Sequence, residues 1–183
     1  MDLKNFTTRD LAFIGMIIAL MYIVQTVTIL GISALTPVEP AKIVVSAFFV
    51  SIVIAIGLAK VGKIGTFTII GIINGIICGF LMPAFLPLLP TTILGGLAAD
   101  ALTKFKYGQY GTRNSLVAAC GVNQLVQTLV ILTIPFYFGF SQVILTPTLI
   151  LVSALITTSL GAAGGLIGSR IVTELKKAGA IGS

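Results

Sequence analysis

The chain has no histidine, no tryptophan and only five acidic residues among 183. Without histidine, a Ser-His pair and a histidine-bound metal are excluded. The acids Asp2, Asp10, Glu39, Asp100 and Glu174 stand singly. No carboxylate pair is therefore available for general acid and base work. Cys78 and Cys120 lie inside apolar runs and lack CxxC spacing. They read as small, soft core residues rather than a disulfide or a zinc site. The expectation is a protein that is not an enzyme, with no catalytic residue, no metal and no cofactor.

Charge is also scarce. Charged residues make up 9% of the chain and hydrophobic residues 57%. A soluble domain needs about a quarter charged residues to cover itself. Most of this surface must therefore face lipid. The net charge of +6 does not form a basic patch on a polar surface, because the cations sit in twos and threes at the ends of apolar runs. That pattern points to membrane topology and away from nucleic acid.

Six apolar runs are long enough for membrane helices, at about 11–30, 41–59, 64–81, 90–103, 116–137 and 148–171. A span needs roughly 20 residues, fewer where neighbours shelter it. The short fourth run carries Gly95, Gly96, Ala98 and Ala99, which suits a helix packed inside a bundle. None of the runs alternates apolar and polar residues as a barrel strand would. With no water to satisfy the backbone, helices remain. The expected fold is all-α: a polytopic membrane protein with six transmembrane helices, forming a single domain over 1–183. Lys4 and Arg9 before the first run resemble a signal peptide. The run is longer than a signal core, and Ile32-Ser33-Ala34 is a poor cleavage site. It is expected to be a retained span.

Six spans put ten of the eleven basic residues on one side and Lys42 alone on the other. Lysine and arginine mark the cytoplasmic side. Both termini are therefore expected on the cytoplasmic side of the membrane. The outer connections fall at about 31–40, 82–89 and 138–147, and prolines stiffen the first two.

Several groups stand out against this apolar ground. Glu39 and Lys42 are the sole outer charges, flanking Pro40. They are either a clamp for a polar solute or a solvated loop pair. Asn74, Asn123, Gln124 and Gln127 lie within the spans, with Asn123 and Gln127 on one face at i,i+4. They are either glue between helices or hydrogen-bond groups lining an outward cavity. Phe85 and Tyr137 lie near outer ends, where aromatics could stack on a flat ring. Ala12, Gly15 and Ala19 make a small-residue face on the first helix, for packing or for a partner. Asp100 precedes Lys104 by four residues, as an interfacial ion pair or a coupling residue. The glycines of GAAGGLIG at 161–168 fit close helix packing better than a dinucleotide fingerprint.

Four stretches carry a family resemblance: RDLAFIGMIIAL, KVGKIGTFTIIGIINGIICG, GGLAADALTKFKYGQYGTRNSLVAACGVNQL and GAAGGLIGSRIVTELKKAGA. With these the chain resembles the S components of energy-coupling factor (ECF) transporters, in the MptD/Trep_Strep-like group. The resemblance implies a six-helix subunit that binds a vitamin or similar micronutrient on the outer side, through outer loops and helices four to six. It also implies partners: a T component and two ATPase subunits, which hydrolyse the ATP. The family docks through an AxxxA motif on helix one. Gly15 and Ala19 stand at those positions, with Ala12 and Asp100 on the expected partner side. The alternative is a self-sufficient small carrier or channel acting as an oligomer.

Overall fold

The computed structural model describes residues 6–35, 39–81, 89–138 and 147–179. They form α1 (Thr8–Leu35), α2 (Glu39–Val61), α3 (Thr66–Leu81), α4 (Leu89–Lys106), α5 (Arg113–Phe138) and α6 (Pro147–Lys177). No strand occurs among the described residues. The six helices coincide with the six apolar runs, and the all-α class holds. One expected boundary is corrected. α1 continues to Leu35 rather than ending near 30. The segment 31–35 contains alanine and leucine, which favour helix, and its Gly31 weakens the helix without ending it.

Helix ends follow local chemistry. Thr7 caps α1: its Oγ1 accepts from the Asp10 amide at 3.2 Å, and Asp10 Oδ2 accepts from the Thr7 amide at 2.8 Å. This reciprocal pair satisfies two donors that the helix cannot. Thr112 caps α5 by accepting from the Ser115 amide at 3.2 Å. α2 stops at Gly62, whose φ of 69° is a left-handed conformation that suits glycine.

Among the described residues, three stretches are long and apolar enough to cross a membrane: Thr8–Ala34, Arg113–Ile131 and Ile150–Lys177. Val45–Val61 and Thr66–Phe80 are shorter apolar helices. α4 is set apart by the charges Asp100, Lys104 and Lys106 within its 18 residues.

Around the bundle the helices run α1, α2, α6, α5, α4, α3. Slighter contacts of α3 with α1 and α2 close the ring. The ends are set by specific contacts. Lys63, after α2, pairs with Asp10 in α1. Asp100 of α4 meets Thr68 at the start of α3. Gly168 of α6 lies against Ala55 of α2, and Gly165 against Leu116 of α5. The start of α1, end of α2, start of α3, end of α4, start of α5 and end of α6 therefore share one end. Among the described residues, every basic residue except Lys42, which falls in the first turn of α2, belongs to that basic end.

An apolar core of the described residues lies in the same half. Ile14, Ile18, Leu58, Phe67, Leu116 and Cys120 are almost wholly buried there. Close backbone approach makes the rest compact. A Cβ on Gly164 would collide with the Phe48 carbonyl, and one on Gly168 would lie 2.6 Å from Ala55 Cβ. On the next flank, a Cβ on Gly161 would come within 2.5 Å of Gln124 Cγ. The glycines of α6 thus serve two neighbours: 164 and 168 face α2, while 161 and 165 face α5. This is small-residue helix packing.

Candidate functional site

The outward face of α1 is the first candidate. Ile14, Ile17, Ile18 and Met21 point into the bundle and are buried. Ala12, Gly15 and Ala19 are exposed. Nothing lies within 4 Å of where a Gly15 Cβ would sit. Met16, Ile23, Val27 and Leu30 continue the stripe, each 61–65% exposed. Spacing of three and four residues keeps them on one face. The structure thus brings Ala12, Gly15 and Ala19 together on an open surface that no other helix of the bundle covers.

The second candidate is a polar belt through the middle and the half remote from the basic end. Asn123, Gln124, Gln127 and Thr128 lie about 15–22 Å along α5, at ~1.5 Å per residue. Asn123 is 1% exposed, and its Oδ1 accepts from Gln127 Nε2 at 3.1 Å. A Cβ on Gly95 would meet that oxygen at 2.5 Å, so the missing side chain in α4 makes room for this amide pair. Gln124, one residue on, turns elsewhere. Its Nε2 donates to Ser51 Oγ in α2 at 3.4 Å. Gln124 therefore ties helices together, while Asn123 and Gln127 pair along one helix. The hydroxyls of Thr128 and Thr157 join α5 to α6 at 2.8 Å. Thr91 and Ser46 add buried hydroxyls from α4 and α2. These threonines and serines carried no sequence signal, because single hydroxyls in membrane helices usually bond their own backbone.

Asn74 stands apart on α3. Its backbone carbonyl accepts from the Tyr22 hydroxyl of α1 at 3.1 Å, and the same phenol lies 3.1 Å from Cys78 Sγ. No hydrogen bond joins Asn74 to the α5 amides among the described residues. Glu39 and Lys42 fall in the first turn of α2, not in a loop. Their side chains, and that of Tyr137 in the last turn of α5, lie outside the described residues, as does Phe85.

Asp100 has a different setting from the one its sequence suggested. It is 5% exposed, and its carboxylate accepts three hydrogen bonds. Two come from Thr68, through the amide at 2.8 Å and the hydroxyl at 2.5 Å. The third comes from Tyr110 at 2.6 Å. An anion at the first turn of α3 also meets the positive end of that helix. Burial first, and the Asp100 carboxylate second, push the Tyr110 phenol well above its ordinary value. It stays a donor at any physiological pH. The expected ion pair with Lys104 is not made; Asp100 instead clasps α3, α4 and the connection after α4. A tyrosine between Gly108 and Gly111 in a polar connection was the one available hint of this clasp.

A family profile described as a hypothetical bacterial integral membrane protein (Trep_Strep) matches residues 8–144. The chain belongs to this family. The Trep_Strep match takes in α1 to α5, and with them the open α1 face, the α5 amides and the Asp100 clasp. The protein is thus an integral membrane protein of a bacterial type. No curated protein and no solved structure matches the chain.

Proposed function

We propose that this Trep_Strep member is the substrate-binding S component of an ECF-type importer for a vitamin or similar micronutrient. Its six helices cross the cell membrane with the basic end in the cytoplasm, as the gathered lysines and arginines favour. It binds its solute from the outer side and docks a T component carrying two ATPase subunits. It performs no chemistry itself.

One observation carries the reading: the open small-residue face of α1. The glycines of α6 meet neighbouring helices within the bundle, whereas Gly15 faces empty space. Small residues let two helix backbones approach closely in a membrane. A membrane helix of the T component is the occupant that fits. The Asn123–Gln127 amides supply hydrogen-bond groups near the middle of the bundle, at a depth that a solute entering from the outer side would reach.

Co-expression with a T component and its ATPases from the same bacterium tests this. A stable four-subunit complex and ATP-dependent uptake are expected. Uptake by the purified chain alone in vesicles without ATP would instead establish a self-sufficient carrier.

A further inference from the structure

At the basic end, α1 and α2 leave an open groove of about 770 Å³ between them. That lies within the ~300–1,000 Å³ range of small-molecule sites. Ala12, Phe13, Met16 and Val61 form its apolar floor, and Arg9, Asp10 and Lys60 its polar rim. The rim is not balanced. Asp10 is engaged by Lys63 at 2.5 Å, which cancels its charge locally. Arg9 and Lys60 have no carboxylate within ion-pair distance among the described residues. Two positive charges therefore overlook an apolar surface.

The height of the groove matters. Arg9 stands two residues before the first apolar run, and Lys60 is the penultimate residue of α2. Both helices leave the hydrocarbon region there, where long cationic side chains reach headgroup phosphates. From Met16 the exposed apolar stripe continues through Leu20 and Ile23. It offers a track of about 10 Å along α1, at ~1.5 Å per residue.

We propose that this groove binds an anionic glycerophospholipid of the same leaflet. The phosphate sits between Arg9 and Lys60, and the first acyl carbons lie against Phe13, Met16 and Leu20. The apolar track is the reason to choose a lipid over a free phosphate. The acyl track shares α1 with the proposed docking face, so a docking partner displaces the lipid tail. Lipid binding itself does not depend on the transport reading.

Native mass spectrometry of the full chain in detergent tests this, with phosphatidylglycerol, phosphatidylcholine of equal chain length, and glycerol 1-phosphate as probes. Phosphatidylglycerol is expected to bind about tenfold or more tightly than phosphatidylcholine. The double substitution R9Q/K60Q should remove that preference, whereas K176Q/K177Q, at the end of α6, should keep it. Should R9Q/K60Q fail to fold, A12E places a carboxylate on the exposed floor and should abolish the preference in the same way. Equal binding of the two lipids, or an undiminished preference in R9Q/K60Q or A12E, would overturn the proposal. So would displacement of phosphatidylglycerol by equimolar glycerol 1-phosphate, which would make the groove a phosphate site. A chain that forms no ECF complex yet prefers phosphatidylglycerol would keep this inference and lose the transport reading.

Discussion

α1 and α6 both carry small residues at helical spacing, and the structure uses them in opposite ways. Gly161, Gly164, Gly165 and Gly168 of α6 touch α2 and α5 so closely that any Cβ would lie 3.1 Å or less from a neighbouring atom. Gly15 of α1 meets nothing within 4 Å. In α6 the missing side chains are the contact itself. In α1 the same chemistry is left unused by the chain's own fold. A small-residue stripe therefore marks close approach, and only the surrounding helices decide whether the approach is internal or offered outward.

Substitutions can break this contrast. Gly164→Leu should have the largest effect, because the new side chain must displace the α2 backbone at Phe48. Overpacking of this kind costs about 1–3 kcal/mol and occasionally more, and a clash with main chain belongs at or beyond the upper end because it must move a whole helix segment. Little folded, monodisperse protein should be recovered on size exclusion in detergent. Asp100→Ala comes next, at about 3 kcal/mol, since it leaves the Thr68 and Tyr110 donors buried without an acceptor. A thermal melt in detergent should show a large drop, with Tyr110→Phe losing only about 1 kcal/mol. An Asp100→Ala protein as stable as the parent would return this residue to the surface role its sequence suggested. On the proposed function, Gln127→Leu should leave the fold intact and weaken nutrient binding by about three- to tenfold, the worth of one hydrogen bond. Gly15→Leu should have the smallest effect on stability, within about 0.5 kcal/mol. On the proposed function it should nonetheless abolish ATP-dependent uptake and recovery of the four-subunit complex. Normal uptake by Gly15→Leu would mean that the open face is not where the T component docks.

The candidate sites were legible to different depths. Ala12, Gly15 and Ala19 share a face by spacing alone, and the structure places them together. The pairing of Asn123 with Gln127 follows from the same rule. Gln124 could not be separated from them in the sequence, because a step of about 100° along the helix sends it to α2 only if α2 is there. Asp100 shows the limit most clearly. Its local context offered Lys104 at i,i+4, a surface pairing worth little. The fold supplied instead the start of α3, 32 residues away in sequence, and a phenol 10 residues on. Near α1, the connection expected at 31–40 begins later, after Leu35, for a simpler reason: glycine at 31 weakens a helix without ending it.

Composition and spacing alone determined the solvent, the number of helices and the sorting of charge to one end. Each of these depends on local hydropathy, on period, or on counting cations. The ring order of the helices, the filling of the α6 glycines, the burial of Asp100 and the vacancy beside Gly15 were decided by tertiary structure. They depend on which distant backbone lies opposite a given face, and no residue carries that information in its own neighbourhood.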